Sequence, residues 1–361
     1  MTIAADLYPV LDTPQALIDL DVVDRNAAAM FALGRANGVD VRVHFKSLKC
    51  GGLARHLMAA GADKFLCAKL NEAEVLVGAG VRDVLVANQI VGPVKARRLA
   101  ALAARADVSV CVDDAENVDE LAAAARAAGV SLGVLVEVDV GQHRCGVDPG
   151  APAVALARRV LGHAPALQFR GLQGYAGHIQ MIPDAADRGQ QCRAGLQLLV
   201  GTRRELEAAG IAVPVVTGAG TGTADTAAGF PGLTEIQPGS FAVMDAAYHA
   251  VCPEYGCALS VLTTVVSRRD GRYVLDAGSK AISRDFGTPV VKDRPADRVT
   301  AVNEEHTIVA PGDGEAVRVG DRREVLPAHC CATMNLHRSC AAVRGGRVEA
   351  VWPIEASGRY D

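Results

Sequence analysis

The sequence predicts an α/β fold: a (β/α)8 barrel followed by an all-β C-terminal domain. Three observations predict it. Short β-branched runs alternate with Ala/Arg/Leu-rich stretches of helical period between residues 41 and 240. The strand runs are apolar throughout, which marks strands buried on both faces of a parallel sheet. Beyond about residue 250 helical period stops, and short strands separated by turn residues take over.

Eight strand candidates follow in order, at 41–47, 64–69, 83–89, 107–114, 132–140, 171–178, 213–220 and 234–240. Helix candidates fall between them, at 24–37, 51–61, 70–79, 94–106, 114–128, 151–162 and 185–210, and the last gap has room for a short helix only. Eight such units favour a closed barrel over an open Rossmann sheet. The segment ALIDLD at 16–21 reads as a lone strand able to pair with the C-terminal domain. Runs such as CALSVLTTVVSR, RYVLDAG, HTIVA and GGRVEAVWPI supply that domain's strands. The predicted division is 22–250 for the barrel and 251–361, with the N-terminal segment 1–21, for the β domain.

Composition narrows the partners. Lys+Arg number 37 against 41 Asp+Glu, a net charge of -4, which gives no electrostatic case for nucleic acid or an anionic membrane. No stretch approaches the roughly 18–20 apolar residues of a membrane helix, and the N-terminus lacks a basic leader, so a soluble cytoplasmic protein is expected. Most of the ten cysteines, such as Cys67, Cys111 and Cys145, stand singly in apolar stretches and read as reduced core thiols.

Barrel chemistry collects at the C-terminal ends of the strands. The first strand ends in His44-Phe45-Lys46-Ser47-Leu48-Lys49. Lys46 is in phase with the strand and can enter the barrel mouth, where desolvation suits a lysine to Schiff-base chemistry; the bland reading is a solvated loop lysine, and Lys49 is the decoy. Gly218-Ala219-Gly220-Thr221-Gly222-Thr223 follows the seventh strand and Gln237-Pro238-Gly239-Ser240 the eighth. Glycines admit backbone N–H groups to an anion, hydroxyls add donors, and these two loops are the usual phosphate site of this architecture. A phosphate cradle facing a strand-end lysine points to pyridoxal 5'-phosphate (PLP). Arg144, after the fifth strand, is placed to face the pyridine nitrogen; a surface ion pair is the other reading. In His329-Cys330-Cys331, a strand would put His329 and Cys331 on one face, able to share a metal, with Cys330 turned away. Imidazole plus thiolate favours zinc.

Together these segments resemble the fold-type III PLP enzymes of the D-threonine aldolase and D-serine dehydratase family. TPQALIDLD, VHFKSLK, CAKLNEAEVLVGAGVRDVLVANQIVG, VEVDVGQHRCGV, TGAGTGT, EIQPGS, FAVMDAAY, PAHCCATMNLH and VEAVWPI carry the resemblance over nearly the whole chain. It implies an alanine-racemase-like barrel plus a β domain, and a homodimer. It implies that Lys46 carries PLP, that Arg144 faces the ring nitrogen, and that Tyr175 lines the pocket. Gly220, Thr221, Gly222, Gly239 and Ser240 would hold the phosphate. His329 and Cys331 would bind a divalent metal, zinc favoured over manganese.

The departures bear on the reaction. Aldolase members carry H-x-D at the metal, whereas this chain has H-x-C, as dehydratase members do. Aldolase members also place a catalytic histidine six residues after the tyrosine; here that position is Met181, and His178 stands three residues earlier as the stand-in base. SRDFGTP and CAT look like the dehydratase branch, HRCGV and VEAVWPI like the aldolase branch. The family's MDADY reads Met244-Asp245-Ala246-Ala247-Tyr248, one acid short. The resulting expectation is a PLP- and metal-dependent lyase of D-3-hydroxy amino acids, leaning to dehydration of D-serine, D-threonine or 3-hydroxy-D-aspartate. D-Threonine or 3-hydroxy-D-aspartate aldolase is the alternative. An amino-acid racemase and a non-catalytic PLP-binding protein are more remote.

Overall fold

A computed structural model of the chain describes residues 8–312 and 316–361. Residues 1–7 of the predicted N-terminal segment lie outside the described residues. Strand β1 (Gln15–Asp19) leads into helix α1 (Leu20–Asn37). Then come β2 (Asp40–His44), α2 (Gly51–Ala59), β3 (Lys64–Cys67), α3 (Leu70–Gly78), β4 (Asp83–Val86), α4 (Pro93–Ala103), β5 (Asp107–Val112) and α5 (Ala115–Ala128). The barrel is completed by β6 (Leu132–Glu137), α6 (Ala151–Leu161), β7 (Leu167–Gly174), α7 (Ala185–Ala208), β8 (Val215–Gly218), α8 (Ala224–Ala228) and β9 (Glu235–Ile236). Strands β2 to β9 are parallel and form a closed barrel, with β9 pairing back onto β2. All eight predicted strands are present, and the predicted short last helix is α8.

Local chemistry explains the helices. Asp114 caps α5, its side chain accepting from the Glu116 and Asn117 N–H groups, and Gly129 ends it in the left-handed region at φ 65°. Asp184 caps the long α7 by accepting from the Asp187 N–H. Pro93 sits in the first turn of α4, where its missing N–H leaves no broken bond. Inside the barrel, Leu66, Leu85, Cys111 and Leu135 from four successive strands pack as one buried cluster. Cys111 is a core filler there, as the composition implied, and all ten cysteines are outside any disulfide.

By contact the chain divides into two compact units. One holds residues 28–46, 53–239 and 359–361; the other holds the chain up to 27, 47–52 and 240–358. The second unit contains α9 (Ala246–Val251), β10 (Leu259–Arg269), β11 (Arg272–Leu275), β12 (Val290–Val291), β13 (Arg298–Val302), β14 (Thr307–Ala310) and β15 (Arg322–Leu326). It ends with α10 (Cys330–Leu336), β16 (Ser339–Arg344) and β17 (Arg347–Pro353). Its sheet runs β13-β14-β11-β10-β1-β16-β17, with β15 on β10 and β12. The lone N-terminal strand β1 lies between β10, antiparallel, and β16, parallel. Val261, Val265, Tyr273, Leu275, Val309 and Val325 are fully buried in this unit's core. One expectation fails: helical structure is not absent here, because α10 occupies the His-Cys-Cys motif.

Candidate active site

Strand β2 stops at His44, earlier than predicted, and Phe45–Ser47 tightens into one 3-10 turn. That turn, rather than strand phase, delivers Lys46 to a cavity of about 220 Å³ at the C-terminal end of the barrel. Arg144, from the loop after β6, and Tyr175, just after β7, line the same cavity, so the barrel unit brings together three of the predicted residues. Lys46 Nζ lies 5.4 Å from the Tyr175 ring centroid and Arg144 Cζ lies 5.8 Å from it. Both distances fall within cation–π range. No acidic side chain lines the cavity among the described residues. Glu137, at the end of β6, is buried and bonded to Gln89 instead; burial pushes its carboxyl pKa up, against the opposing pull of Gln89 and Arg144. Two cations around one aromatic ring, with no lining carboxylate, make a place for an anionic, planar group.

Lys49 is excluded from this role by its surroundings. It is 8% exposed, and its Nζ donates to the Ala356 carbonyl at 3.5 Å, at the edge of hydrogen-bond range. His178 sits in a 3-10 turn at Gly177–Ile179, is exposed, and is not among the residues lining the cavity.

The sequence missed several lining residues. His44, Asn88, Gln173 and Gln237 all face the cavity. Asn88 Nδ2 donates to the Ala68 carbonyl at 2.8 Å, and Gln237 Nε2 to Thr217 Oγ1 at 3.0 Å. His44 and Gln237 stand inside motifs read from the sequence without being singled out there; only the convergence of different strand ends identifies all four. The Lys46 N–H makes a long contact, 3.4 Å, with His44 Nδ1.

Packing alone accounts for the glycines of the TGAGTGT loop. A Cβ on Gly222 would lie 2.1 Å from the Gln180 carbonyl oxygen, and one on Gly220 2.7 Å from Gln180 Oε1. Gly222 N–H donates to Gln180 Oε1 at 3.1 Å, and Gly220 N–H to Thr223 Oγ1 at 3.3 Å. Gln180, 1% exposed, is therefore the residue that shapes this loop. Thr221 is buried in the same turn, and Gln237 N–H donates to the Gly218 carbonyl at 3.0 Å, which sets the loops after β8 and β9 side by side. Gly239 ends the barrel unit, and Ser240 opens the segment that follows. Gly222→Ala is expected to cost about 1–3 kcal/mol by overpacking. Gly201→Ala in α7, where a Cβ meets nothing within 4 Å, is the control. Equal urea midpoints for the two variants would contradict this reading.

In the β unit, the strand argument for the metal pair does not hold. His329 has extended backbone and precedes α10, so Cys330 and Cys331 open a helix. The pair still meets, because Cys331 hydrogen-bonds to His329. Burial alone would lower the His329 pKa; Cys331, and then Asp285, outweigh it and push it up to about 9. Cys330 is fully buried but not turned away as expected, since its Sγ lies 4.0 Å from Cys331 Sγ, and its N–H donates to Asp245 Oδ2 at 2.7 Å. Asp245 also caps α9 through the Tyr248 N–H at 2.7 Å, which makes the remaining acid of the MDAAY stretch a clamp between two short helices. His337 is turned away, its Nε2 bonded to the Ala281 carbonyl at 2.8 Å. Among the described residues no cluster of three or more His, Cys, Asp or Glu side chains is disposed to hold a metal ion. An adjacent imidazole and thiol fit a divalent ion that keeps open positions, not a closed structural cage.

Residues 18–247 match the family described as alanine racemase, N-terminal domain, and residues 258–343 match a family of serine dehydratase domains. The chain is 38% identical to D-threonine aldolase of Arthrobacter sp., over 96% of this chain and 93% of that protein. It is 36% identical to 3-hydroxy-D-aspartate aldolase of Paracoccus denitrificans strain Pd 1222, over 97% and 93%. Among solved structures, D-threonine aldolase from Filomicrobium marinum superposes with a TM-score of 0.93 at 38% identity, covering 96% of each chain. D-threo-3-hydroxyaspartate dehydratase from Delftia sp. HT23 superposes with a TM-score of 0.85 at 30% identity, covering 98% of this chain and 99% of that one. No described helix is long and apolar enough to cross a membrane.

Proposed function

The chain belongs to the alanine racemase N-terminal domain family, and from that premise we propose that it is a PLP-dependent lyase cleaving D-3-hydroxy amino acids in the aldolase direction. The observation that carries the PLP reading is the shared cavity of Lys46, Arg144 and Tyr175. PLP bound there supplies the electron sink for a bond broken at Cα. Lys46 holds the cofactor through its amine and yields that position to the amine of the substrate. Arg144, which carries only donors, keeps whatever ring nitrogen it faces as an acceptor. The Thr221 and Ser240 hydroxyls are the side-chain donors proposed for the phosphate.

The lean of the sequence toward elimination is replaced here. It rested on Met181 standing where a base was wanted. The cavity itself contains Lys46, Tyr175 and His44, three groups able to hold or move a proton, so loss of basicity at one position does not remove proton transfer. The relatives named above at 36% and 38% identity are both aldolases. In the aldolase direction the β-hydroxyl proton leaves, the Cα–Cβ bond breaks, and glycine and an aldehyde form.

Cys331 favours a second reading. The resembling dehydratases share H-x-C, and D-threo-3-hydroxyaspartate dehydratase has been solved as a cysteine-to-alanine mutant in the metal-free form. In either reading we propose that His329 and Cys331 hold a divalent ion, zinc favoured, whose role is to polarise the β-hydroxyl. A homodimer is the assembly that accompanies the family resemblance.

The test loads the protein with PLP and zinc or manganese and supplies D-threonine, D-3-hydroxyaspartate and D-serine. Glycine with acetaldehyde or glyoxylate is the expected outcome. A 2-oxo acid with ammonia and no glycine would overturn it in favour of elimination. Enantiomer interconversion that survives chelation would instead identify a racemase.

A further inference from the structure

The His-Cys pair sits in a set of contacts that the ligands alone do not require. Asp285 Oδ2 lies 2.7 Å from His329 Nδ1. The neighbouring Phe286 ring stacks on the imidazole, with centroids 3.9 Å apart and planes 4° from parallel. Asp285 is itself held, because the Ser283 hydroxyl donates to its other carboxylate oxygen and the Ser283 N–H donates to Thr333 Oγ1 at 3.1 Å, tying this loop to α10. Ser47 Oγ lies 3.1 Å from Cys331 Sγ, within reach of a hydroxyl–sulfur hydrogen bond.

We propose that Asp285 is the positioning residue of the metal site: it fixes the tautomer and ring plane of His329 so that Nε2 presents its lone pair beside Cys331. The inference rests on the metal reading given above. A carboxylate on Nδ1 holds the ring proton there, and a neutral imidazole so held can offer only Nε2 to a metal. The same carboxylate makes that nitrogen a stronger donor, and Phe286 blocks rotation of the ring about its axis. The SRDFGTP stretch thereby acquires a physical role, since it delivers acceptor and stacking plate together from one loop.

A competing arrangement has the opposite consequence. If Asp285 serves only as counter-ion to a protonated His329, it competes with the metal, and removing it would leave metal binding unchanged or tighten it. Metal titration separates the two by sign. The protein, holding PLP and stripped of metal by a chelator, is titrated with Co²⁺ for wild type, Asp285→Asn, Asp285→Ala and His329→Ala. The visible d–d bands and the thiolate-to-cobalt charge-transfer band report binding. Asp285→Ala is expected to raise the Kd for Co²⁺ about 10–100-fold while the thiolate band persists at saturation. Asp285→Asn, whose amide oxygen still accepts from Nδ1–H, is expected to recover part of that loss. Unchanged bound-PLP absorbance in each variant shows that the fold is intact. An Asp285→Ala Kd equal to or tighter than wild type overturns the positioning role. Absence of a thiolate–cobalt band in wild type, or an unaltered Kd in His329→Ala, overturns the metal reading beneath it and this inference with it.

Discussion

Lys46→Ala is expected to replace the absorbance of lysine-bound PLP with that of the free aldehyde and to lower turnover of the proposed D-3-hydroxy amino acid substrate at least about 10³-fold. The size of the effect follows from the position of the amine. Lys46 lines the cavity with Arg144 and Tyr175, and it is the only lysine lining it among the described residues. The phosphate cradle proposed above would still hold PLP non-covalently, so the variant should bind the cofactor weakly and lose it on gel filtration. Lys49→Ala is the informative comparison, because that side chain is buried and directed at the Ala356 carbonyl. It should keep the chromophore even where it loses some stability. A Lys46→Ala protein that retains the absorbance of the parent would overturn the assignment.

Arg42→Leu is expected to destabilise the barrel by about 3–5 kcal/mol, the usual cost of breaking a buried ion pair from one side. Arg42 is 6% exposed at the start of the barrel. Its Nε lies 2.8 Å from Glu235 Oε1, and its Nη1 lies 2.6 Å from Asp83 Oδ1 and 3.2 Å from the Phe65 carbonyl. These bonds join β2 to β9, β4 and β3, and β2–β9 is the seam that closes the barrel. Burial disfavours the charged guanidinium, but Glu235 and Asp83 outweigh it and raise the Arg42 pKa. With the arginine gone, Glu235, whose side chain is 3% exposed, is left buried without its partner. Urea unfolding followed by tryptophan-independent far-UV circular dichroism measures the loss. The double variant Arg42→Leu/Glu235→Leu should recover much of it, because an apolar pair leaves no buried partner stranded and Asp83, with its side chain 34% exposed, is partly solvated. A single-variant loss below about 1 kcal/mol would contradict the account.

Much of the barrel was legible in the residues. Apolar runs such as DVLV and DVSVCV cannot be half-exposed strands, and each is followed by an amphipathic stretch with its own start signal, Pro93 for α4 and Asp114 for α5. Asp114 and Gly129 around α5 are an example, and their partners lie within a few residues. Lys46 and Lys49 could also be told apart by phase, although the 3-10 turn at Phe45–Ser47 replaced the strand on which that argument stood. The C-terminal sheet was legible in kind but not in order. Nothing local says that β1 must lie between β10 and β16.

What the sequence could not supply depends on contacts between distant residues. Asn88 and Gln173 are single polar residues without a pattern of their own, and they become site residues only because different strand ends meet at one opening; Gln180 shapes the glycine-rich loop through a contact 42 residues apart in the chain. The His-Cys-Cys motif shows the limit best. Read alone, it passes for a strand, since seven residues are too few to display a helical period. The structure makes α10 a helix with Asp245, 85 residues away in the chain, receiving the Cys330 N–H that a local cap would otherwise take. Asp285, 44 residues from His329, likewise joins it only through the fold. The sequence by itself therefore determined the barrel and the β domain, because periodicity and caps are short-range and survive in a linear string. Tertiary structure decided the surroundings of the cavity and the form of the His-Cys pair, because hydrogen bonds between residues far apart in the chain leave no local trace.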